Sequence, residues 1–221
     1  MPVVEVLSSD LPAREKVLVV LLPGARSVAG DFAKYGFGEA AEEALSGRAD
    51  VIAVDLHRGY YEARSAARLL HHEVVAPAKS RGYREVWLAG VSMGGFGSVM
   101  YDLRYPGAAD RLILMAAFLG EEEAIEEIKT AGLAAWDPGK TIPREDFSRR
   151  FWNGVKESKG LNEGRVFLGY GDKDRFAGDN SIFADALGLE ARVVPGGHTW
   201  KPWKKLWPLL LQDAAIAAKL D

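Results

Sequence analysis

The order of apolar and amphipathic segments along the chain predicts an α/β fold, with a mostly parallel central sheet of about seven strands and helices on both faces. Short runs rich in Val, Leu and Ile alternate with longer amphipathic segments, and this alternation is typical of strand–helix–strand units. Several of the short runs are almost continuously apolar, as expected of parallel strands that helices cover on both faces. No internal repeat and no linker rich in Pro, Gly or Ser interrupts the pattern. We therefore expect a single domain over residues 1–221.

The individual elements follow from the same patterns. Apolar runs predict strands at Val3–Leu7, Val17–Leu22, Val51–Leu56, Glu85–Ala89, Leu112–Ala116, Arg165–Tyr170 and Ala191–Val194. Amphipathic patterns predict helices at about Phe37–Leu45, Glu62–Lys79, Met93–Arg104, Glu121–Thr130, Arg144–Lys156, Ile182–Leu187 and Trp203–Leu220.

One segment, at about 120–164, departs from the alternation because it contains two helical patterns and no strand. We interpret it as a small helical, lid-like insertion. Its large apolar residues are Trp136, Phe147, Phe151 and Trp152. They either pack the insertion onto the rest of the domain or form the wall of a pocket beside a catalytic site.

Composition and charge exclude several classes of protein. Lys and Arg number 28 and Asp and Glu 31, for a net charge of −3, which argues against a general nucleic-acid binder. Apolar runs such as Val17–Leu22 are far too short to span a membrane. The first residues show no basic region followed by an apolar stretch, so we expect no secretory signal and a cytoplasmic protein. The lack of cysteine excludes a disulfide scaffold, a thiol nucleophile and zinc–thiolate sites.

Ser92 is the candidate nucleophile. It lies in Gly90-Val91-Ser92-Met93-Gly94, a Gly-x-Ser-x-Gly pattern that follows a buried-strand signal and precedes a helical one. A serine on such a sharp strand-to-helix turn exposes its hydroxyl, and the two glycines avoid clashes where strand and helix crowd together. The N-terminus of the helix favours a developing negative charge at this position.

His198 is the candidate base that activates Ser92, because a serine hydroxyl is a poor nucleophile until its proton is removed. It lies in a glycine-flanked loop directly after the last predicted strand, where an imidazole can reach the carboxyl edge of the sheet. His57 is a second, weaker candidate, which follows an earlier predicted strand and would also lie near the carboxyl edge of the sheet. The adjacent His71 and His72 lie within a helical pattern and lack the spacing of a metal pair.

The imidazole also needs a carboxylate to fix its tautomer. Asp172 and Asp174 compete for this role in Gly171-Asp172-Lys173-Asp174, a loop at the carboxyl end of the penultimate strand, which is where open α/β sheets place their chemistry. An aspartate directly after a glycine is also a common turn former, which is the alternative interpretation of Asp172.

These residues together resemble the α/β-hydrolase superfamily, specifically its serine esterases, lipases and thioesterases. The resemblance covers residues from about Val17 to Trp200, and the order Ser92, then Asp174, then His198 matches that of the family. The family pattern favours Asp174 over Asp172 as the acid. It also implies an α/β-hydrolase fold and cleavage of a small-molecule carboxylic ester or thioester through an acyl-enzyme intermediate, without a metal or an organic cofactor.

The family further implies an oxyanion hole of two backbone N–H groups. One would belong to Met93, the residue after the nucleophile. The other would come from the loop Pro23-Gly24-Ala25-Arg26, where proline has no N–H, which makes Ala25 a better donor than Gly24.

Three other functions fit parts of the sequence. The same residues serve acyltransferases, perhydrolases and lyases, and non-catalytic binding proteins also use this fold. The residues 36–41, Gly-Phe-Gly-Glu-Ala-Ala, match a dinucleotide-binding fingerprint, but that fingerprint requires a strand directly before its first glycine. Asp31–Tyr35 reads instead as a turn or the start of a helix, which disfavours a nicotinamide- or flavin-dependent oxidoreductase.

Overall fold

The protein is built around a seven-stranded sheet. Its structure, a computed structural model, describes residues 1–158, 161 and 164–220. The strands are β1 (Val3–Leu7), β2 (Val17–Leu22), β3 (Ala49–Val54), β4 (Glu85–Val91), β5 (Arg111–Met115), β6 (Val166–Gly171) and β7 (Arg192–Val194). Their order across the sheet is β1-β3-β2-β4-β5-β6-β7. All neighbouring pairs are parallel except β1 and β3, which pair antiparallel at one edge.

Ten α-helical segments surround this sheet in the described part of the chain. They are α1 (Ala29–Lys34), α2 (Phe37–Leu45), α3 (Arg58–Glu62), α4 (Ala66–Leu70), α5 (Ala76–Ser80), α6 (Met93–Arg104), α7 (Glu122–Ala131), α8 (Phe147–Glu157), α9 (Ala177–Leu187) and α10 (Trp200–Ala218). A π-helical turn, His71–Val75, joins α4 to α5, and a 3₁₀ turn, Ala13–Glu15, precedes β2.

The buried residues form two hydrophobic layers, one on each face of the sheet. Strand β2 shows why: all six of its residues are buried, and successive side chains point to opposite faces. Val17, Val19 and Leu21 pack with α1, α2 and α10. Leu18, Val20 and Leu22 pack with α4, α5, α6, α8 and α9. The sequence prediction of a mostly parallel sheet covered on both faces is therefore confirmed.

One helix prediction needs correction, and two short helices were not predicted. The helix predicted over Glu62–Lys79 is interrupted after Glu62, because Arg64 adopts a left-handed conformation with φ of 54°. The short helices α1 and α3 were not predicted, since each is too short to show a full amphipathic period. The α1 helix ends at Lys34, two residues before Gly36, so the dinucleotide-like residues 36–41 lack the strand that their motif requires.

The predicted insertion contributes α7 and α8, although residues 159–160 and 162–163 of its range lie outside the described residues. Trp136, Phe151 and Trp152 are buried in the hydrophobic layer around α6, so these three residues pack the insertion onto the body of the protein. Arg149 of α8 forms ion pairs with Glu123 and Glu127 and thereby ties α8 to α7. Phe147 behaves differently and remains 39% exposed.

Among the residues described, none of the helices combines the length and the apolar character needed to cross a membrane.

Candidate active site

Ser92 lies on the tight turn between β4 and α6. Its backbone angles, φ of 53° and ψ of −115°, are strained for a residue with a side chain, and such strain is characteristic of functional sites. The flanking glycines make the turn possible. A Cβ on Gly90 would lie 2.2 Å from the carbonyl carbon of Gly94, and a Cβ on Gly94 would lie 2.0 Å from the carbonyl oxygen of Leu22.

Backbone hydrogen bonds hold the strained turn in place. The amide of Ser92 donates to the carbonyl oxygen of Met115 at 3.0 Å. The carbonyl oxygen of Ser92 accepts from the amides of Gly95 and Phe118, both at 3.0 Å. Ser92 is thus fixed to the residues around the end of β5 as well as to its own helix.

The side chains of Ser92, His198 and Asp174 form a continuous hydrogen-bonded chain. The Oγ of Ser92 lies 3.0 Å from Nε2 of His198. The Nδ1 of His198 lies 2.9 Å from Oδ2 and 3.0 Å from Oδ1 of Asp174. The Asp174 side chain is fully buried, whereas 17% of the His198 side chain is exposed. This arrangement allows the serine proton to move to Nε2 while the carboxylate holds the proton on Nδ1.

Asp172 lies in the same loop as Asp174, but its carboxylate binds the backbone of the neighbouring loop. Its side chain is exposed, and its Oδ1 accepts a hydrogen bond of 2.8 Å from the amide of Gly196. The amide of Lys173 donates to the carbonyl oxygen of Gly196 at 2.9 Å. Asp172 therefore connects the loop after β6, which carries both aspartates, to the loop that carries His198.

Two aromatic rings enclose the imidazole of His198. The ring centroids of Phe176 and Trp203 each lie 5.0 Å from that of His198, and both contacts are edge-to-face. Such contacts stabilise one orientation of the imidazole, which keeps Nε2 directed at Ser92.

Two backbone groups named as oxyanion-hole candidates lie beside Ser92. Met93 is the first residue of α6, so the helix leaves its N–H without an intrahelical acceptor. Gly24 begins a turn closed by a hydrogen bond from the amide of Ser27 to its carbonyl oxygen. A Cβ on Gly24 would lie 3.4 Å from the Cβ of Ser92, so Gly24 lies beside the serine, and Ala25 follows it as an exposed residue of the same turn.

The remaining histidines have other contacts. The Nδ1 of His57 accepts a hydrogen bond from the amide of Gly59 at the start of α3. The Nδ1 of His71 lies 2.9 Å from the hydroxyl of the buried Tyr101, and its ring stacks on Tyr105. Burial and then the neighbouring His72 lower the pKa of His71. The structure therefore brings only His198, of the four histidines described, into hydrogen-bonding contact with Ser92.

Sequence analysis did not single out Phe118, Phe176 and Asn180, which surround the same site. Asn180 is fully buried, and its side-chain amide joins the loop after β5 to the loop after β6. Phe118 and Phe176 lie in these two loops. Their position just beyond the carboxyl ends of two parallel strands is the signal that could have identified them.

Comparison with known proteins agrees with this fold. None of the curated proteins matches the chain significantly in sequence. Among solved structures, a ferulic acid esterase superposes with a TM-score of 0.62 at 18% identity, covering 92% of this chain and 85% of its own. The S-formylglutathione hydrolase of Staphylococcus aureus gives 0.60 at 17% identity, covering 91% and 82%. The monoacylglycerol lipase of Paleococcus ferrophilus gives 0.63 at 14% identity, covering 96% and 98%.

The sheet order and these superpositions define a protein of the α/β-hydrolase fold. A model of the Esterase family matches residues 53–212, which include Ser92, Asp174 and His198. The chain belongs to the Esterase family and is an ester-cleaving hydrolase.

Proposed function

We propose that the protein hydrolyses carboxylic esters through Ser92 as nucleophile, His198 as general base and acid, and Asp174 as the carboxylate that orients His198. The observation that supports this most strongly is the continuous chain of hydrogen bonds from Ser92 Oγ through the imidazole to Asp174, with each contact between 2.9 and 3.0 Å. The strained backbone of Ser92 adds support because it directs the hydroxyl away from its own helix.

The first step forms an acyl-enzyme. As Ser92 Oγ attacks the ester carbonyl carbon, its proton passes to Nε2 of His198, and the carbonyl oxygen becomes an oxyanion. The amides of Met93 and Ala25 stabilise this oxyanion by donating hydrogen bonds. When the tetrahedral intermediate collapses, the bond between the carbonyl carbon and the alcohol oxygen breaks, and Nε2 of His198 donates its proton to that oxygen.

The second step releases the acid. A water molecule gives its proton to Nε2 of His198 as its oxygen attacks the acyl carbon. The bond between that carbon and Ser92 Oγ then breaks, and Oγ takes back the proton. Asp174 remains ionised throughout and stabilises the imidazolium that forms in each step.

A thioester can react by the same steps, because only the leaving atom changes. The structural similarity to an S-formylglutathione hydrolase, an enzyme whose name indicates a thioester substrate, supports testing this class. Acyl transfer to an acceptor other than water would use the same acyl-enzyme. The cytoplasmic location remains a prediction from the pattern of the first residues, and the lack of a nucleic-acid partner remains a prediction from the net charge.

The proposal is tested with p-nitrophenyl esters of increasing acyl length, supplied to the wild-type protein and to Ser92→Ala. We expect the wild type to hydrolyse at least the shorter esters and Ser92→Ala to lose nearly all of this activity, by about 10³-fold or more. Ser98, which is buried and donates a hydrogen bond to the carbonyl oxygen of Gly94, provides the matched control Ser98→Ala. Full activity in Ser92→Ala would contradict the proposal.

A further inference from the structure

We propose that Phe118, Phe147 and Phe176 form a subsite for an aromatic group on the alcohol side of the substrate, so that esters of arylmethyl alcohols are preferred. This inference rests on the proposed function of Ser92 and His198. We call these three residues the aromatic strip.

The aromatic strip begins at the imidazole of His198. The ring centroid of Phe176 lies 5.0 Å from that of His198, and the centroid of Phe118 lies 5.6 Å from that of Phe176. Phe147 follows at 6.3 Å from Phe118. Beneath the strip, the nearly buried Phe96 contacts both Phe118 and Phe147. These contacts form one continuous apolar surface that leads away from the catalytic base.

The rings of the strip remain partly open to solvent. Phe147 is 39% exposed, and Phe118 and Phe176 are half-buried. Exposed aromatic surface contributes little to folding stability, whereas its burial by a ligand is favourable. Neighbouring aromatics of the insertion, Phe151 and Trp152, are instead fully buried. The strip thus differs from these fully buried rings, because its own rings keep surface that a ligand can cover.

The side-chain amide of Asn180 fixes the backbone of Phe176 and of Ala117, the residue before Phe118. The Nδ2 of this buried amide donates to the carbonyl oxygens of Ala117 at 2.9 Å and Phe176 at 2.8 Å. Its Oδ1 accepts from the amide of Ala117 at 3.0 Å. The amide of Phe118 donates to the carbonyl oxygen of Ser92. The spacing between Phe118, Phe176 and the nucleophile is thus set before substrate binds, which lowers the entropic cost of binding.

The position of the strip assigns it to the leaving alcohol. In acyl transfer the protonated imidazole must reach the leaving oxygen, so the alcohol leaves on the side of His198. The proposed oxyanion donors lie instead on Met93 and in the Gly24–Ser27 turn. On its other edge the imidazole contacts Trp203, which is buried. The Phe176 side therefore offers the partly exposed aromatic surface next to the imidazole.

Three esters with similar intrinsic reactivity test the assignment: ethyl acetate, benzyl acetate and ethyl phenylacetate. Benzyl acetate places a ring on the alcohol, and ethyl phenylacetate places it on the acyl group. We expect the wild-type kcat/KM for benzyl acetate to exceed that for ethyl acetate by about tenfold, which is near the upper end of the effect that ring-to-ring contacts produce. We expect a smaller gain for ethyl phenylacetate.

Variants then identify the surface responsible. Phe118→Ala and Phe147→Ala should reduce the ratio of benzyl acetate to ethyl acetate severalfold, without changing the ratio of ethyl phenylacetate to ethyl acetate. A ratio is used because it is insensitive to a general loss of activity or of folded protein. Leu209→Ala is the matched control, since Leu209 on α10 is 40% exposed and is not part of the strip; both ratios should stay at the wild-type values.

The possible failures are distinguishable. Equal kcat/KM for benzyl and ethyl acetate in an active wild type would overturn the subsite while leaving the proposed function intact. The assignment would also be overturned if kcat/KM rose more for ethyl phenylacetate than for benzyl acetate and this gain disappeared in Phe118→Ala. That result would show that the aromatic strip binds the acyl group. If the wild type hydrolyses none of the three esters and no p-nitrophenyl ester, the proposed function fails and the subsite with it.

Discussion

The carboxylate of Asp172 accepts a hydrogen bond from the amide of Gly196, two residues before His198 in the chain. Asp174, two residues further along its own loop, instead contacts the imidazole of His198 directly. One short loop thus supplies two acids that act on the same neighbouring loop in different ways. Asp174 sets the orientation of the ring, and Asp172 holds the backbone that carries it.

This difference predicts unequal effects of two isosteric substitutions. Asp174→Asn removes the charge and favours the wrong imidazole tautomer, so we expect a loss of about 10⁴ in kcat. Asp172→Asn keeps an oxygen that can accept the Gly196 amide, and we expect a loss of less than about tenfold. Steady-state kinetics on both variants, with circular dichroism to verify folding, would measure this. A severe loss in Asp172→Asn beside an active Asp174→Asn would reverse the assignment.

Hydrolysis should depend on the imidazole of His198, because the serine hydroxyl needs a base to accept its proton. His198→Ala should lose at least about 10³ in kcat. The controls His57→Ala and His72→Ala should retain wild-type rates. A loss in His57→Ala as large as that in His198→Ala would show that the base is misassigned.

His71→Ala should affect stability more than catalysis. Its imidazole contacts the buried Tyr101 and stacks on Tyr105, so we expect the free energy of unfolding to fall by about 1–2 kcal/mol. Activity per folded molecule should remain close to wild type. Urea denaturation and active-site titration separate the two effects, and an unchanged denaturation midpoint would contradict this account.

The glycines of the serine turn should tolerate no side chain. A Cβ on Gly94 would lie 2.0 Å from the carbonyl oxygen of Leu22, so Gly94→Ala must displace strand β2 or helix α6 and should destabilise the protein by more than about 3 kcal/mol. Gly178 in α9 has open space around it, and Gly178→Ala should be neutral or stabilising by up to about 1 kcal/mol. Equal melting temperatures for the two variants would be inconsistent with the packing described.

A buried ion pair at the opposite end of the sheet should make stability depend on pH. Lys16 and Asp50 are 2.9 Å apart, and their side chains are only 9% and 12% exposed. Burial raises the pKa of Asp50, but hydrogen bonds from the Ser9 amide and the Tyr83 hydroxyl, together with Lys16, lower it below its ordinary value. The stabilisation is therefore present above the unfolded-state pKa and is lost as the pH falls through the folded-state pKa.

Asp50→Asn tests this linkage, because it keeps the shape of the side chain but leaves the buried Lys16 without a counter-ion. We expect the free energy of unfolding near pH 7 to fall by about 3 kcal/mol. The difference from the wild type should shrink as the pH is lowered through the range where Asp50 of the wild type takes up a proton, which lies below that of an ordinary aspartate. Urea denaturation at neutral pH and at acid pH provides the measurement, and a difference independent of pH would refute the linkage.

Much of the sheet and the main site residues could be predicted because their signals are local. Apolar runs mark the strands, and Ser92 is marked by glycines two residues to either side that leave room for its turn. The antiparallel pairing of β1 with β3 has no such signal, since it depends on how distant segments meet. The same is true of Asn180, whose partner Ala117 is 63 residues away. The role of Phe147 likewise depends on which face of α8 meets the body.

The most direct test of the central claim is to label the active protein with a fluorophosphonate and to locate the adduct by mass spectrometry. Such a reagent reacts with a serine only when a neighbouring base activates the hydroxyl. We predict a single adduct on Ser92 that is absent in Ser92→Ala and strongly reduced in His198→Ala. An adduct on Ser98, or hydrolytically active protein that carries no adduct, would contradict the account.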